Sequence, residues 1–137
     1  MLVVVNPAPI KKVSESVYQY IDYLVPNEHE LESLSGTNNP LNGGKILLNK
    51  GVKNVIITLG ENGSLFVNSN ESFKVDPYKV KAVDTTAAGD SYLGALVTKL
   101  SKGADIKDAM NYASKCSSIT VTRKGAIIAL PKEKDLL

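Results

Sequence analysis

Three apolar runs rich in β-branched residues constrain this chain more than anything else in it: residues 2–5 (LVVV), 21–25 (IDYLV) and 52–58 (VKNVIIT). Continuous runs of this kind, rather than strict alternation, belong to strands buried on both faces of a parallel sheet. Parallel neighbours must be joined by a crossover, usually a helix, and helical signals lie between the runs. The expected class is α/β, a parallel sheet with helices on both faces. Ligands in such sheets bind beyond the carboxyl ends of the strands, so the residues that follow each run matter most.

The first run ends in Asn6-Pro7-Ala8-Pro9, where two prolines stop pairing and set a rigid loop. Residues 13–20 read as a short helical segment. The second run ends in Pro26-Asn27-Glu28-His29-Glu30, a proline and asparagine followed by acids, which marks a helix start. Taken alone, Glu28 and Glu30 complement the dipole of that helix, and the single histidine, His29, belongs on the surface. Residues 35–40 form a turn cluster, and residues 41–49 a helix stopped by Lys50-Gly51. The third run enters Leu59-Gly60-Glu61-Asn62-Gly63, whose two glycines suit close backbone approach of a ligand or, equally, a hairpin with residues 64–67 as the return strand. Residues 71–80 read as short, partly exposed strands.

Residues 83–96 (VDTTAAGDSYLGAL) read as a strand end, a turn of small residues and a helix start. The first amides of a helix lack partners within it and carry partial positive charge, so this turn is a natural anion site. Asp90 is anomalous there, since a bound phosphate would repel it. A carboxylate in that position suits a proton acceptor for phosphoryl transfer. For an isolated AAGD, a helix-capping aspartate beside packing alanines would be the better reading. In the helix that follows, Tyr92, Leu93, Leu96, Val97 and Leu100 share one face at helical spacing and are assigned to the core. Lys102-Gly103 ends this helix, and Asp105 caps a second one over residues 106–119, with Ala109, Met110, Tyr112, Ala113 and Cys116 on its apolar side. Residues 121–126 form a basic turn, and residues 132–137 a polar tail.

At 137 residues the chain has the length of one ordinary domain, and it is read as a single unit, 1–137. A hydrophobic content of 43%, a charged content of 22% and a net charge of +2 give no reason to propose nucleic acid or membrane partners. One cysteine, Cys116, allows no internal disulfide and fits a reducing compartment, with the cytoplasm as the default. Neither a Walker A sequence nor GxGxxG occurs, so nucleotide binding does not follow from those motifs.

Taken whole, residues 83–96 match the second signature of the PfkB carbohydrate kinases: Asp84, Thr85, two small residues, Gly89, Asp90, then Gly94 and Ala95 with two apolar positions. The chain therefore resembles that family and, within it, the ribokinase type, of which DTTAAGD is typical. NPAP, PN-x-x-E and TLG-x-x-G resemble the same family, so the resemblance runs from Asn6 to Pro131. It implies a three-layer α/β/α, ribokinase-like (Rossmann-like) sheet of which this chain is the C-terminal ATP-binding and catalytic part. Roughly as many residues again would precede it. The implied activity is phosphoryl transfer from ATP to the primary 5-hydroxyl of ribose. Asp90 would be the general base and meet the sugar, and the amides of Ala87, Ala88, Gly89 and Asp90 the anion hole. Asn27 would contact the nucleotide phosphates, and Thr58, Leu59, Gly60, Glu61, Asn62 and Gly63 the phosphates and adenosine. Ser114 would border the adenine, a position where histidine or asparagine is commoner. Glu30 would orient water on Mg²⁺. K⁺ would lie beside the anion hole at Asp84, Thr86, Thr120, Arg123, Gly125 and Ala129; serine is usual at the last position, so one hydroxyl ligand is lacking.

The implied partners are ATP and a small sugar, with a homodimer expected where missing neighbours expose a sheet edge. The family's sugar-gripping residues and β-lid lie in the half before NPAP, so the isolated chain is expected to bind ATP weakly and phosphorylate ribose negligibly. Two alternatives stay open. One is a non-catalytic nucleotide-binding module, the other a PfkB kinase for deoxyribose, another sugar or a nucleoside.

Overall fold

The structure is a computed structural model that describes residues 1–7, 14–81 and 88–122. The chain divides into two compact units, Met1–Val75 and Asp76–Leu137.

The first unit is a five-stranded sheet in the order β1 (Val4–Val5), β2 (Tyr23–Leu24), β3 (Asn54–Thr58), β4 (Ser64–Asn68), β5 (Ser72–Val75). β1, β2 and β3 run parallel, in register at Val4 with Tyr23 and at Leu24 with Val55. β4 and β5 return antiparallel, so the sheet is mixed, with its parallel strands on the side that carries NP, PN and TLG. The crossover from β2 to β3 holds α1 (Glu28–Ser35) and α2 (Pro40–Asn49). Val55, Ile57, Val67 and Leu24 from the sheet form one core with Leu31 and Leu34 of α1 and Leu47 of α2. Each such side chain contributes about 1.5–3 kcal/mol on full burial. Ile56 and Phe66, paired across β3 and β4, point to the opposite face and are buried too. β3 is therefore apolar on both faces, as its unbroken sequence requires. The Phe66 and Phe73 ring centroids lie 4.9 Å apart on that side.

Several expectations are corrected. The short helix expected over residues 13–20 is, in its described part, a turn and a single 3-10 turn at Tyr18–Tyr20. One turn fixes several dihedrals for little hydrogen bonding, and burial of Tyr18 holds the chain here instead. β1 and β2 are two residues each rather than four and five: ahead of β1 the Val3 N–H is taken by the Asp22 carboxylate instead of a ladder partner, and Pro26, which has no N–H, follows β2. Of the strands expected over 71–80, only β5 forms, and Pro77 lies in the non-strand residues 76–81. The strand end and turn at residues 83–87, and the tail at 132–137, lie outside the described residues.

The second unit contains α3 (Ala88–Ser101) and α4 (Ile106–Val121), packed along each other. Gly103, at φ 79°, turns the chain out of α3, and Asp105 caps α4 by accepting from the Lys107 N–H at 3.1 Å. The interface is narrower than the sequence suggests. Ser91, Tyr92, Ala95 and Leu96 are buried, whereas Leu93 and Leu100 are half-buried and Val97 is exposed. On α4 the buried residues are Ala109, Met110, Ala113, Ser114, Cys116 and Thr120, while Tyr112 is half-buried under the Lys99 ammonium, 4.4 Å from its ring centroid. Small residues let two helices approach closely, so a thin stripe suffices to seal the contact. No helix among the described residues is long and apolar enough to cross a membrane.

Candidate functional site

Because β1, β2 and β3 are parallel, the chain leaves all three at the same edge of the sheet. Asn6-Pro7, Pro26-Asn27 and Leu59-Gly60 therefore gather there. The last two segments touch: Asn27 and Thr58 form an isolated parallel bridge, and the Thr58 N–H donates to the Pro26 carbonyl at 2.9 Å. Thr58 is thus placed beside the first turn of α1. Beyond it, residues 60–62 make one 3-10 turn, closed by the Leu59 N–H on the Gly63 carbonyl at 2.8 Å. Gly60, at φ 58°, and Gly63, at φ 88°, sit where other residues are strained. Nothing lies within 4 Å of where a Gly60 Cβ would be, so the backbone there is open to a ligand.

Asn27 caps α1, and its partner is Glu30. The Asn27 Oδ1 accepts from the Glu30 N–H and the Glu30 Oε1 accepts from the Asn27 N–H, both at 2.8 Å. Glu30 is buried although it is a carboxylate, while Glu28 and His29 beside it are exposed. The cap uses one carboxylate oxygen and leaves Oε2 for other work. Mg²⁺ takes oxygen ligands, keeps much of its water and commonly rides on nucleotide phosphates with one or two carboxylates. Glu30 fits that limited demand. Among the described residues no group of three or more His, Cys, Asp or Glu could hold a metal ion by itself.

In the second unit, α3 begins at Ala88, so the N–H groups of Ala88, Gly89 and Asp90 have no acceptor within the helix. Gly89 and Asp90 are exposed, and among the described residues nothing beyond the chain neighbours and the helix's own backbone lies within 4 Å of a Cβ built on Gly89. The ion pairs among the described residues are Lys50–Glu15 and Lys53–Asp22, so Asp90 is in neither. Amides without a helical acceptor and an exposed carboxylate thus share one helical turn. Ser114 is buried in α4. Thr120 is buried as well, and its hydroxyl is taken up by Ser91 and by the Cys116 carbonyl. Only its backbone carbonyl, in the last turn of α4, suits a cation, at the negative end of the helix. Ala87, Asp84, Thr86, Arg123, Gly125 and Ala129 lie outside the described residues. Sequence reasoning missed Ser91 and Ser117, whose hydroxyls tie α3 to α4; the one signal was a serine at each position where the facing stripe is otherwise small or apolar.

Sheet and turns together define an α/β protein whose ligand side lies beyond the carboxyl ends of its parallel strands. The family model of the pfkB family carbohydrate kinase matches residues 1–133, and the chain belongs to this family. It is 43% identical over 134 residues to ribokinase of Staphylococcus aureus, covering 93% of this chain and 44% of that protein. Against ribokinase of Schizosaccharomyces pombe it is 45% identical over 138 residues, covering 94% and 43%. A deoxyribokinase of Salmonella typhi is 34% identical, covering 94% and 44%. Among solved structures, ribokinase of Thermotoga maritima superposes with a TM-score of 0.93 at 41% identity, over 98% of this chain and 47% of that one. Arabidopsis thaliana ribokinase complexed with ribose and ATP gives 0.92 at 26% identity, over 99% and 46%. A ribokinase II of Escherichia coli in complex with ATP and Mg²⁺ gives 0.81 at 33%, over 89% and 40%. The ribokinase-like α/β fold is therefore that of this chain over the matched part, and the chain spans less than half the length of these relatives.

Proposed function

We propose that this chain carries the nucleotide-binding and catalytic part of an ATP-dependent sugar kinase of the ribokinase type. One observation carries the reading: the first turn of α3 joins amides at Gly89 and Asp90 that have no acceptor within the helix to an exposed carboxylate at Asp90. Asp90 takes the proton of the sugar's primary hydroxyl as that oxygen attacks the γ-phosphorus. The bond from phosphorus to the bridging oxygen breaks, and ADP leaves with its electron pair. The amides of Ala87, Ala88, Gly89 and Asp90 stabilise charge on the transferring phosphoryl group. Asn27 and the segment from Thr58 to Gly63 bind the phosphates and adenosine, and Ser114 borders the adenine. When bound, Mg²⁺ supplies positive charge to the phosphates, and Glu30 orients its water. Asp84, Thr86, Thr120, Arg123, Gly125 and Ala129 would hold K⁺, whose charge would tune the anion hole. Ribose is the proposed acceptor, on the strength of the ribokinases at 43% and 45% identity; deoxyribose is the second, from the deoxyribokinase at 34%. Residence in the cytoplasm and a homodimer belong to the same proposal, the latter checked by sedimentation.

The test is Asp90→Asn in a protein with turnover. Loss of about 10²–10⁴-fold in kcat is expected, with nucleotide affinity kept. Retained turnover removes Asp90 from the base role. A second reading is a nucleotide-binding module without turnover. On that reading the 137-residue chain binds ATP weakly and phosphorylates ribose negligibly, and robust turnover by this chain alone would exclude it.

A further inference from the structure

Four hydroxyl-bearing or backbone groups link the first turn of α3 to the last turns of α4. The Thr120 Oγ1 lies 2.8 Å from the Ser91 Oγ and 3.0 Å from the Cys116 carbonyl oxygen. The Ser117 hydroxyl donates to the Ala88 carbonyl at 3.3 Å. The partners are spaced three apart on both helices, 88 and 91 against 117 and 120, so each pair lies on one helix face. Ser91 is 7% exposed and Thr120 is fully buried, on helices whose other buried residues include Ala95, Leu96, Ala109, Met110 and Ala113. Apolar packing is non-directional and tolerates rotation of one helix on the other. Hydrogen bonds are directional and do not.

We infer that Ser91 and Thr120 are positioning residues that set the rotation of α3 about its axis, and with it the direction in which Gly89 and Asp90 face. The inference rests on the phosphoryl-transfer reading of that turn. Successive residues on a helix lie about 100° apart, from 3.6 residues per turn. Turning Ser91 inward onto α4 therefore turns Asp90 outward, where it is found exposed. Thr120 has a single hydroxyl proton. When it goes to the Cys116 carbonyl, Ser91 supplies the proton for the bond between the two hydroxyls, so the link survives either arrangement. Orientation at this level matters to transfer chemistry, where a misplacement of about 1 Å can cost on the order of 10²-fold.

The two partners differ in how they can be removed. Ser91→Ala leaves the Thr120 hydroxyl bonded to Cys116, so stability should hardly change. Thr120→Val strands a buried Ser91 hydroxyl and should lower the melting temperature. The double variant removes both groups and should melt near the parent. The experiment uses the ¹⁵N-labelled 137-residue chain, titrated with ADP and separately with inorganic phosphate, reading the amide shifts of Gly89 and Asp90. Expected are ligand-induced shifts in the parent that fall several-fold in Ser91→Ala and in the stable double variant, and that return in Thr120→Ser. A folded double variant that responds like the parent overturns the positioning role. A parent chain without response at Gly89 and Asp90 to either ligand overturns the anion-turn reading and the positioning role with it. Should Thr120→Val fail to fold, Ser91→Ala and the double variant still decide.

Discussion

Asn27 and Glu30 hold each other at both ends of one helical turn, each side chain accepting from the other's backbone N–H at 2.8 Å. This capping box satisfies two donors that the helix cannot. It also means that Glu30 is fixed in place before any ligand arrives. The bond it accepts needs an oxygen but not a charge, and that separates two roles within one side chain.

Glu30→Gln keeps an oxygen for the Asn27 N–H, so its stability should fall by no more than about 1 kcal/mol, the size of a lost charge at a helix N-terminus. Under the proposed function its Mg²⁺-dependent nucleotide binding should weaken while metal-free binding stays. Asn27→Ala should instead cost about 1 kcal/mol of stability through the cap. Calorimetric titration with ATP, with and without Mg²⁺, checks the first; a urea melt checks the second. Unchanged Mg²⁺-dependent binding in Glu30→Gln would leave Glu30 as a cap alone.

Gly89→Ala separates folding from function. A methyl group there meets no atom within 4 Å, and alanine favours a helix over glycine by up to about 1 kcal/mol. The variant should melt at or above the parent temperature. Its methyl group would stand in the open approach to the amides, so phosphate and ADP should bind several-fold more weakly. Binding equal to the parent would show that the ligand does not approach there.

Gly43 and Leu31 are matched in size. A Cβ on Gly43 would stand 2.8 Å from the Leu31 Cγ and Cδ2, inside a core where Leu31 is fully buried. Gly43→Ala should therefore destabilise by about 1–3 kcal/mol from overpacking, against a helix-propensity gain of about 1 kcal/mol. Urea unfolding should show a net loss. Pairing it with Leu31→Ala should make the two effects less than additive.

Asp22 ties the start of the sheet together. Its Oδ2 accepts from the Val3 N–H at 2.8 Å and its Oδ1 from the Lys53 ammonium at 3.0 Å, and these bonds, the backbone one foremost, hold its pKa below the usual aspartate value. A lowered folded-state pKa gives stability that is present above the unfolded value and lost as pH falls through the folded one. The parent should thus lose stability below the ordinary carboxylate range, and Asp22→Asn should lose less of it over the same window. Urea melts at about pH 7 and about pH 3 measure the difference. Identical pH slopes would rule out a contribution from Asp22.

Much of the secondary structure was legible because its signals are local. The run VKNVIIT made β3, Asn27 made a cap, and Gly51 and Gly103 ended helices at positive φ, since each depends on neighbours a few residues away. The TLG and PN motifs were legible as candidates but not as a contact; the bridge from Asn27 to Thr58 joins residues 31 apart and exists only through the parallel register of β2 and β3. Helical periodicity placed Val97 in the core, yet it is exposed. Periodicity names a face, and how wide a stripe is covered depends on the partner helix.

By itself, then, the order of residues determined the α/β class, the caps and stops, the apolar strands and the family to which the turn at Gly89 and Asp90 belongs. These follow from backbone sterics, hydrogen-bond chemistry and short-range spacing. Tertiary structure alone decided that Glu30 spends one oxygen on Asn27, that Gly43 is small because Leu31 fills its space, and that Ser91 meets Thr120. Those outcomes depend on which surfaces the folded chain presses together, and no short-range rule in the sequence encodes a distance between residues 29 positions apart.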